Sequence, residues 1–308
     1  MYKLPLDIDI YSNGKKERTR ITLDSVKQTF SFASNTKPDL INVDAEKMIV
    51  GTKKDNHSKE EWIYMLNNAA LYLDRYESIV ALDKYKTDSV VQMQYIKALN
   101  DSIYSIRISA LNKIKDFNDS NKKLAYAKVK ELALNDEKSS VRARAAKVLA
   151  DNYKSENNQA IFEKLANEQS FSVLASMIKI YADIDSTKAY AIAKKEENAD
   201  NFTILGAIAE LYSKNNNKAY NQFYLNTLNK SSGFDAVFIL PYYKNYIKKM
   251  DDETIKSSLP TIKELALSAN NGFIKSSVKM VLKEAQSATK DEVLKKEIED
   301  IVNSFEKK

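Results

Sequence analysis

The stretch Asp136-Glu137-Lys138-Ser139-Ser140-Val141-Arg142-Ala143-Arg144-Ala145-Ala146-Lys147-Val148-Leu149 limits what this chain can fold into more than any other feature. An Asp leads, an apolar–Arg pair follows, then small apolar residues, then a Leu one turn on. The same phrase begins 35 residues earlier at Asp101, with Ile106-Arg107, Ala110-Leu111 and Ile114 in phase. Fainter echoes fall at Val173, Met177, Ile178 and Tyr181, and again at Ile204, Ile208, Ala209 and Tyr212. A period in the thirties marks helical units stacked in series, because each unit has an apolar face that only its neighbour can cover.

The phrase has the spacing of the second helix of a HEAT repeat, and composition agrees with a helical array. Of 308 residues, 44% are hydrophobic, while Gly and Pro number only five and four, too few to punctuate anything but helices joined by short turns. The 48 basic and 42 acidic residues are interspersed and leave +6, which reads as a solvated surface rather than a nucleic-acid footprint. The absence of Cys excludes disulfides and Cys-bound zinc. No run approaches the roughly 20 apolar residues of a membrane span.

Residues 1–55 read differently. Tyr2-Lys3-Leu4-Pro5 already approaches a strand and does not read as a signal peptide, so the chain is expected to be a fragment with its natural N-terminus upstream. Leu6, Ile8 and Ile10 alternate with Asp7, Asp9 and Tyr11. Ser12-Asn13-Gly14-Lys15 is a hairpin signal, since Asn-Gly accepts the positive φ angles of a two-residue turn. Further strands are expected at Thr19–Leu23, Gln28–Ala33, Leu40–Val43 and Met48–Gly51. Four or five short strands make a small, incomplete antiparallel β-sandwich with an unpaired edge.

After the polar link Thr52–His57, Ser58-Lys59-Glu60-Glu61 has the form of a capping box. A helix to about Asp74 should bury Trp62, Met65, Leu66, Ala69 and Leu73, and a second should cover Arg75–Leu82. Helices then alternate with turns near Asn100, Asn118, Asp136, Ser155, Ser170, Ser186, Asn201, Asn216, Ser232, Asp251, Asn271 and Lys290. Within them apolar residues recur at helical spacing, as in Leu124, Ala127, Val129, Leu132 and Ala133. Pro241 and Pro260 should lie in first turns or kink their helices. The fold class is thus mainly α: a HEAT/armadillo-like α-solenoid over residues 56–308, preceded by the β part over residues 1–55.

Three segments together resemble a known junction: Pro38-Asp39-Leu40-Ile41-Asn42-Val43-Asp44-Ala45-Glu46-Lys47, then Gly51-Thr52-Lys53-Lys54-Asp55, then Tyr72-Leu73-Asp74-Arg75-Tyr76-Glu77. They resemble bacterial zinc aminopeptidases of the membrane alanyl aminopeptidase (gluzincin) family, in which a β-sandwich ends in such a strand pair and feeds a long helical domain. Leu4-Pro5-Leu6-Asp7-Ile8 and Phe30-Ser31-Phe32 suit that sandwich. The resemblance covers about residues 1–85. That family's catalytic domain precedes the sandwich and carries HExxH, a further zinc-binding Glu and Gly-x-Met-Glu-Asn, none of which occurs here. The resemblance therefore implies a non-catalytic C-terminal portion that walls and gates a peptide chamber. Its partners would be the upstream catalytic domain and peptide substrates. Zinc would belong to the parent enzyme, and the compartment would be bacterial cytoplasm or periplasm.

No catalytic, cofactor-binding or metal-binding residue is assigned in this chain. His57 is the only histidine and cannot supply a two-histidine zinc helix; it is read as an exposed loop residue. Glu60-Glu61 is the nearest thing to a functional carboxylate pair, but capping explains Glu61. Arg107 and Arg142 occupy equivalent places and are read as structural, bonding inter-repeat carbonyls or the Asp side chains of the preceding turn, with Asp101 and Asp136 as the natural local partners; the rival is ligand binding on the concave face. Tyr72, Tyr76, Tyr181 and Tyr212 read as core or groove wall rather than a base-stacking platform, and Trp62 as packing where the two parts meet. Two other functions stay open: a stand-alone HEAT scaffold for protein partners and, with less support, a HEAT-like nucleic-acid binder or glycosylase.

Overall fold

The structure, a computed structural model, describes residues 3–231 and 233–306. Tyr2 and the turn expected at Ser232 lie outside them. Among the described residues the fold is mainly helical, with fifteen α-helices and one three-stranded antiparallel sheet. Two compact units divide the chain, residues 1–156 and 157–308.

The first unit opens with β1 (Leu4–Ser12), β2 (Lys15–Leu23) and β3 (Leu40–Val43), in the order β2-β1-β3. Ser12 pairs with Lys15 across a two-residue turn in which Asn13 and Gly14 take φ of 50° and 74°, the left-handed geometry an Asn-Gly pair accepts. Gln28–Ala33 and Met48–Gly51, expected as strands, form none. At the second site the reason is visible. Asp44 and Lys47 both adopt positive φ, and the Asp44 carboxylate accepts the N–H groups of Met48 at 2.8 Å and Ile49 at 3.1 Å. A local side chain thus takes the donors a ladder would have used. Near the first site Gln28 likewise folds back, accepting from the Asp24 N–H at 3.1 Å.

The capping box forms as the sequence indicates, with Ser58 Oγ accepting from the Glu61 N–H and Glu61 Oε2 accepting from the Ser58 N–H at 2.7 Å. The helix it opens is shorter than expected. α1 (Lys59–Asn68) stops where Ala69 turns extended, and α2 (Tyr72–Ala81) turns back to pack on it. No Gly or Pro marks this break; packing of Trp62, Met65, Leu66 and Ala69 overrides local propensity. Leu73, expected inside, is 44% exposed.

α3 (Ser89–Ala98), α4 (Tyr104–Leu111), α5 (Asp119–Asn135) and α6 (Ser139–Asn152) complete the unit. α1, α3 and α5 pack in one row, α2, α4 and α6 in another, and each odd helix packs on the even helix that follows it. α5 buries Val129, Leu132 and Ala133 as expected but departs from the expected face nearer its start. Leu124 and Ala127 face outward, while Asn121, Ala125, Val129, Leu132 and Ala133 are buried. Asn121 goes inside because it finds partners there: its amide donates to Gln92 Oε1 at 2.9 Å and Ser89 Oγ at 3.1 Å. Gln92 in turn donates to the carbonyls of Lys86 and Asp116 and accepts from the Asn118 N–H. A satisfied polar side chain therefore outcompetes a leucine for the inner face.

The second unit contains α7 (Gln159–Leu165), α8 (Phe171–Ile184), α9 (Ser186–Glu196), α10 (Phe202–Ser213), α11 (Asn221–Lys230), α12 (Leu240–Ile247), α13 (Asp252–Ser268), α14 (Gly272–Ala288) and α15 (Glu292–Glu306). Asp185, Asn201, Asp251 and Asn271 each cap the helix that follows with a side-chain oxygen. α8, α10, α12 and α14 pack in one row, and α11, α13 and α15 in another. Pro241 lies in the first turn of α12, and Pro260 lies inside α13. α15 buries Leu294, Ile298, Ile301 and Phe305 and exposes Lys296, Glu297, Glu299 and Asp300, a polar outer face. Among the described residues, no helix is long and apolar enough to cross a membrane.

The outward position of Leu124 gives a direct check. Leu132→Ala should cost about 2–5 kcal/mol, while Leu124→Ser should stay within about 0.5 kcal/mol of the parent, measured by urea unfolding. Comparable losses at both positions would mean that Leu124 is buried.

Candidate functional site

The most developed polar architecture lies in the first unit, where the sheet meets α1 and α2. Asp7, Asp9 and Tyr11 share one face of β1. Arg20, Arg18 and Lys16 stand directly opposite on β2, as the register requires. Arg18 grips Asp9 with two bonds of 2.6 and 2.8 Å and also pairs with Glu46. Arg20 grips Asp7 with two of 2.8 Å. These guanidinium bonds hold both aspartates below their ordinary pKa against the opposing effect of burial. On β1 this face is covered at Asp9 and Tyr11, while Arg20 and Lys16 on β2 stay exposed to solvent. Asp9 is 2% exposed, and Tyr11 is buried with its ring edge-on to Tyr64 of α1.

Lys47 continues the network into α2. Its ammonium lies 2.7 Å from Asp74 and 3.1 Å from Glu77. Burial depresses its pKa, but the two carboxylates outweigh burial and leave it raised. Beside it, Lys53 donates to the Val43 carbonyl at 2.7 Å and pairs with Asp55 at 2.9 Å. His57 is not the exposed loop residue expected. Its side chain is 11% accessible, its ring stands edge-on to Trp62 with centroids 4.6 Å apart, and Asp55 lies 4.0 Å from Nε2. Burial pulls its pKa below the ordinary histidine value, with Asp55 and Glu61 only partly opposing. Glu60 stays exposed and Glu61 is engaged in the capping box. The pair is not brought together for acid–base work.

The repeat arginines form a second construction. Arg75, Arg107 and Arg142 all sit four residues after the N-caps of α2, α4 and α6, which are Leu71, Ile103 and Lys138. From there each guanidinium reaches back to the carbonyl two residues before its own N-cap: Ala69 at 3.4 Å, Asp101 at 2.8 Å and Asp136 at 2.8 Å. The carboxylate partner comes from the next repeat. Arg75 meets Asp101 at 3.2 Å, and Arg107 meets Asp136 through two bonds of 2.7 and 2.8 Å. The sequence offers each arginine the carbonyl or the carboxylate of the Asp at the previous turn, and both Arg107 and Arg142 take the carbonyl. Only the Asp101 backbone serves Arg107, and the Asp101 side chain looks the other way along the row. Asp101 and Asp136 also accept the N–H of the N-cap residues Ile103 and Lys138.

Among the tyrosines, Tyr181 and Tyr212 are buried as expected, whereas Tyr76 is 41% exposed and stacks on Tyr72. In the second unit Tyr190, Tyr212 and Tyr220 lie with nearly parallel rings, and Phe223, Tyr224, Tyr243 and Tyr246 continue the aromatic cluster. Two buried hydroxyls have close acceptors, Tyr212 on Glu197 at 2.6 Å and Tyr224 on the Ala209 carbonyl at 2.6 Å, and burial raises both pKa values, whereas the buried Tyr181 hydroxyl has no hydrogen-bond partner among the described residues. Among the described residues, no group of three or more His, Cys, Asp or Glu is arranged to hold a metal ion. These networks immobilise charge in matched pairs, which suits them to holding helices and strands in place.

No family model matches the chain, and no curated protein matches it in sequence. Solved structures do resemble it. An aminopeptidase A from Legionella pneumophila, solved in complex with aspartic acid, matches over 98% of this chain and 45% of that one, at 9% identity and a TM-score of 0.51. The chain therefore spans under half of that protein, and the likeness is one of fold. The complex of CpcE and CpcF of phycocyanin lyase from Nostoc sp. PCC7120 matches over 84% of this chain and 98% of that one, at 16% identity and a TM-score of 0.46. An engineered protein matches over 75% of this chain at 16% identity and a TM-score of 0.34. Likeness at those last two scores carries no argument.

Two outcomes follow from the pairs. Arg107→Ala leaves the buried Asp136 carboxylate uncompensated and should cost about 3–5 kcal/mol, whereas the more accessible Arg142→Ala should cost about 1–3 kcal/mol. Lys154→Ala, at an exposed position, is the null control in the same denaturation series. For His57 the folded pKa lies below the unfolded value near 6.5. Its contribution to stability is then complete above 6.5 and is lost as pH falls below it. Unfolding free energies compared at about pH 7.5 and about pH 5.5 should show a drop that His57→Phe reduces. An undiminished drop in the variant would assign the pH dependence elsewhere.

Proposed function

We propose that the chain is the non-catalytic portion of a bacterial zinc aminopeptidase of the membrane alanyl aminopeptidase family. In this reading it is the end of a β-sandwich followed by a HEAT-like helical solenoid that walls and gates the peptide chamber. The observation that carries the reading is the aminopeptidase likeness, which takes in 98% of the chain, sheet and helices together, while occupying 45% of the other protein. The resemblance of Pro38–Lys47, Gly51–Asp55 and Tyr72–Glu77 to that family's sandwich–helix junction points the same way. The two-row packing of α1 to α6 and the arginine of one repeat bonded to the aspartate of the next support the solenoid reading.

Zinc has no place in this chain under the proposal. One histidine and no cysteine cannot make a gluzincin site, so the metal, the water it activates and the catalytic Glu belong to the rest of the polypeptide. What this portion contributes is shape, exclusion and fixed charge.

Antibody capture of the native protein, followed by peptide mass spectrometry, tests the reading. The expected result is one polypeptide roughly twice as long as this chain, with HExxH upstream of the segment equivalent to Leu4. A native polypeptide without HExxH would overturn the proposal in favour of a partner-binding scaffold. The isolated chain should hydrolyse no aminoacyl substrate; hydrolysis abolished by a chelator would place a complete metal site within these residues.

A further inference from the structure

A small groove in the second unit is lined by uncharged residues alone among the described ones. It lies where α13 ends, α14 begins and the 3-10 helix Gly233–Phe238 crosses, and its volume is about 240 Å3. Leu265 and Ile274 form its apolar floor, and Phe234 forms a wall. Phe234 is 60% exposed and stacks on Phe273, itself 56% exposed, with ring centroids 6.4 Å apart. The two stacked rings give the groove a contiguous apolar edge that a ligand could cover.

The rim is amide rather than charge. Asn270 and Asn271 both line the groove. Asn271 Oδ1 is occupied by the Phe273 N–H at 2.8 Å, which leaves its amide hydrogens for another acceptor. Asn270 is exposed. In a chain whose residues are 29% charged, no described residue lining this groove carries a charge. The groove between α13 and α15 is the contrast, lined by Lys263, Lys296, Glu297 and Asp300. An uncharged rim disfavours phosphate, nucleic acid and carboxylate ligands, all of which need cationic partners to repay desolvation. A neutral peptide group is matched by an Asn amide, which can both donate to its carbonyl and accept from its N–H. The volume is below the usual ligand-pocket range of about 300–1,000 Å3 and suits one leucine- or phenylalanine-sized side chain.

We propose that this groove docks an uncharged internal peptide segment, seating one aromatic or branched aliphatic side chain between Phe234 and Ile274 while Asn270 and Asn271 bond the flanking backbone. The site stands on its own geometry and does not depend on the peptidase reading. The test is titration of the full chain, observed by amide and methyl NMR, with terminally blocked tetrapeptides that differ at one central residue: Phe, Leu, Asp or Lys. The Phe and Leu peptides should shift the signals of Asn270, Asn271 and Ile274 saturably, with Kd on the order of 0.1–1 mM. The Asp and Lys peptides should bind about tenfold more weakly or less. Phe273→Ser, at an exposed position, should weaken binding of the Phe peptide about tenfold with an unchanged melting temperature. Equal binding of all four peptides, or shifts that map elsewhere, would overturn the proposal. So would concentration-dependent dimerisation abolished by Phe273→Ser, or adsorption to neutral phosphatidylcholine vesicles without peptide binding; these would assign the patch to a second copy of the chain or to a lipid surface.

Discussion

The stacking of helices in the first unit depends on an arginine that serves two turns at once. Placed four residues into its helix, the guanidinium closes the turn before its own helix through a backbone carbonyl. Its remaining N–H groups take the aspartate that begins the next repeat. Arg107 does both, with Asp101 O at 2.8 Å and the Asp136 carboxylate at 2.7 and 2.8 Å. The aspartate is equally divided, since Asp136 accepts Arg107 through its carboxylate, the Lys138 N–H through the same group and Arg142 through its carbonyl. Every member is satisfied, which is the condition under which buried charge fixes one arrangement instead of merely costing desolvation. Spacing between successive helix pairs is therefore set by hydrogen-bond geometry as well as by packing of Ile106, Val141 and their neighbours.

The same features explain what could be read in the sequence. Signals contained within a few residues were legible: the Asn13-Gly14 turn, the Ser58–Glu61 capping box, the turns at Asn118, Asn201, Asp251 and Asn271, and the repeated Asp…Arg phrase. What stayed hidden depended on a distant partner. Asp101 lies six residues from Arg107, and the contact with its carbonyl was within local reach; the carboxylate partner, Asp136, lies 29 residues away. Leu124 reads as core until Gln92 supplies Asn121 with an acceptor. Met48–Gly51 reads as a strand until Asp44, one turn back, takes two of its N–H groups. The break at Ala69 carries no Gly, Pro or cap, and only the packing of α2 on α1 produces it.

The junction between sheet and helices shows the same limit on a larger scale. Alternation along β1 separates Leu6, Ile8 and Ile10 from Asp7, Asp9 and Tyr11, and the simplest reading sends the second set to water. The register instead places Arg18 and Arg20 opposite the two aspartates. Once paired, Asp9 can be covered. Sequence alternation fixes which residues share a face, but the cross-strand partners decide whether a charged face can be buried.

This arrangement also bears on what the chain can do. General acid–base or nucleophilic chemistry needs a titratable group poised between two states, with room for a reacting atom. Here the ionisable groups at the junction are driven the opposite way. Asp7, Asp9 and Glu61 are held charged by donors, Lys47 is held charged by Asp74 and Glu77, and His57 is pushed toward neutrality against Trp62. Each is stabilised in the form it already has near neutral pH, the Asp7–Arg20 pair at the solvent-exposed side of the sheet and the others against protein. Such a network resists proton transfer and holds its position, which is what a wall or a docking surface requires. The exposed, uncharged groove beside Phe234 has the reverse character, apolar contact area and free amides without a fixed charge. Within this chain, fixed charge and uncharged apolar contact area therefore lie on chemically distinct surfaces.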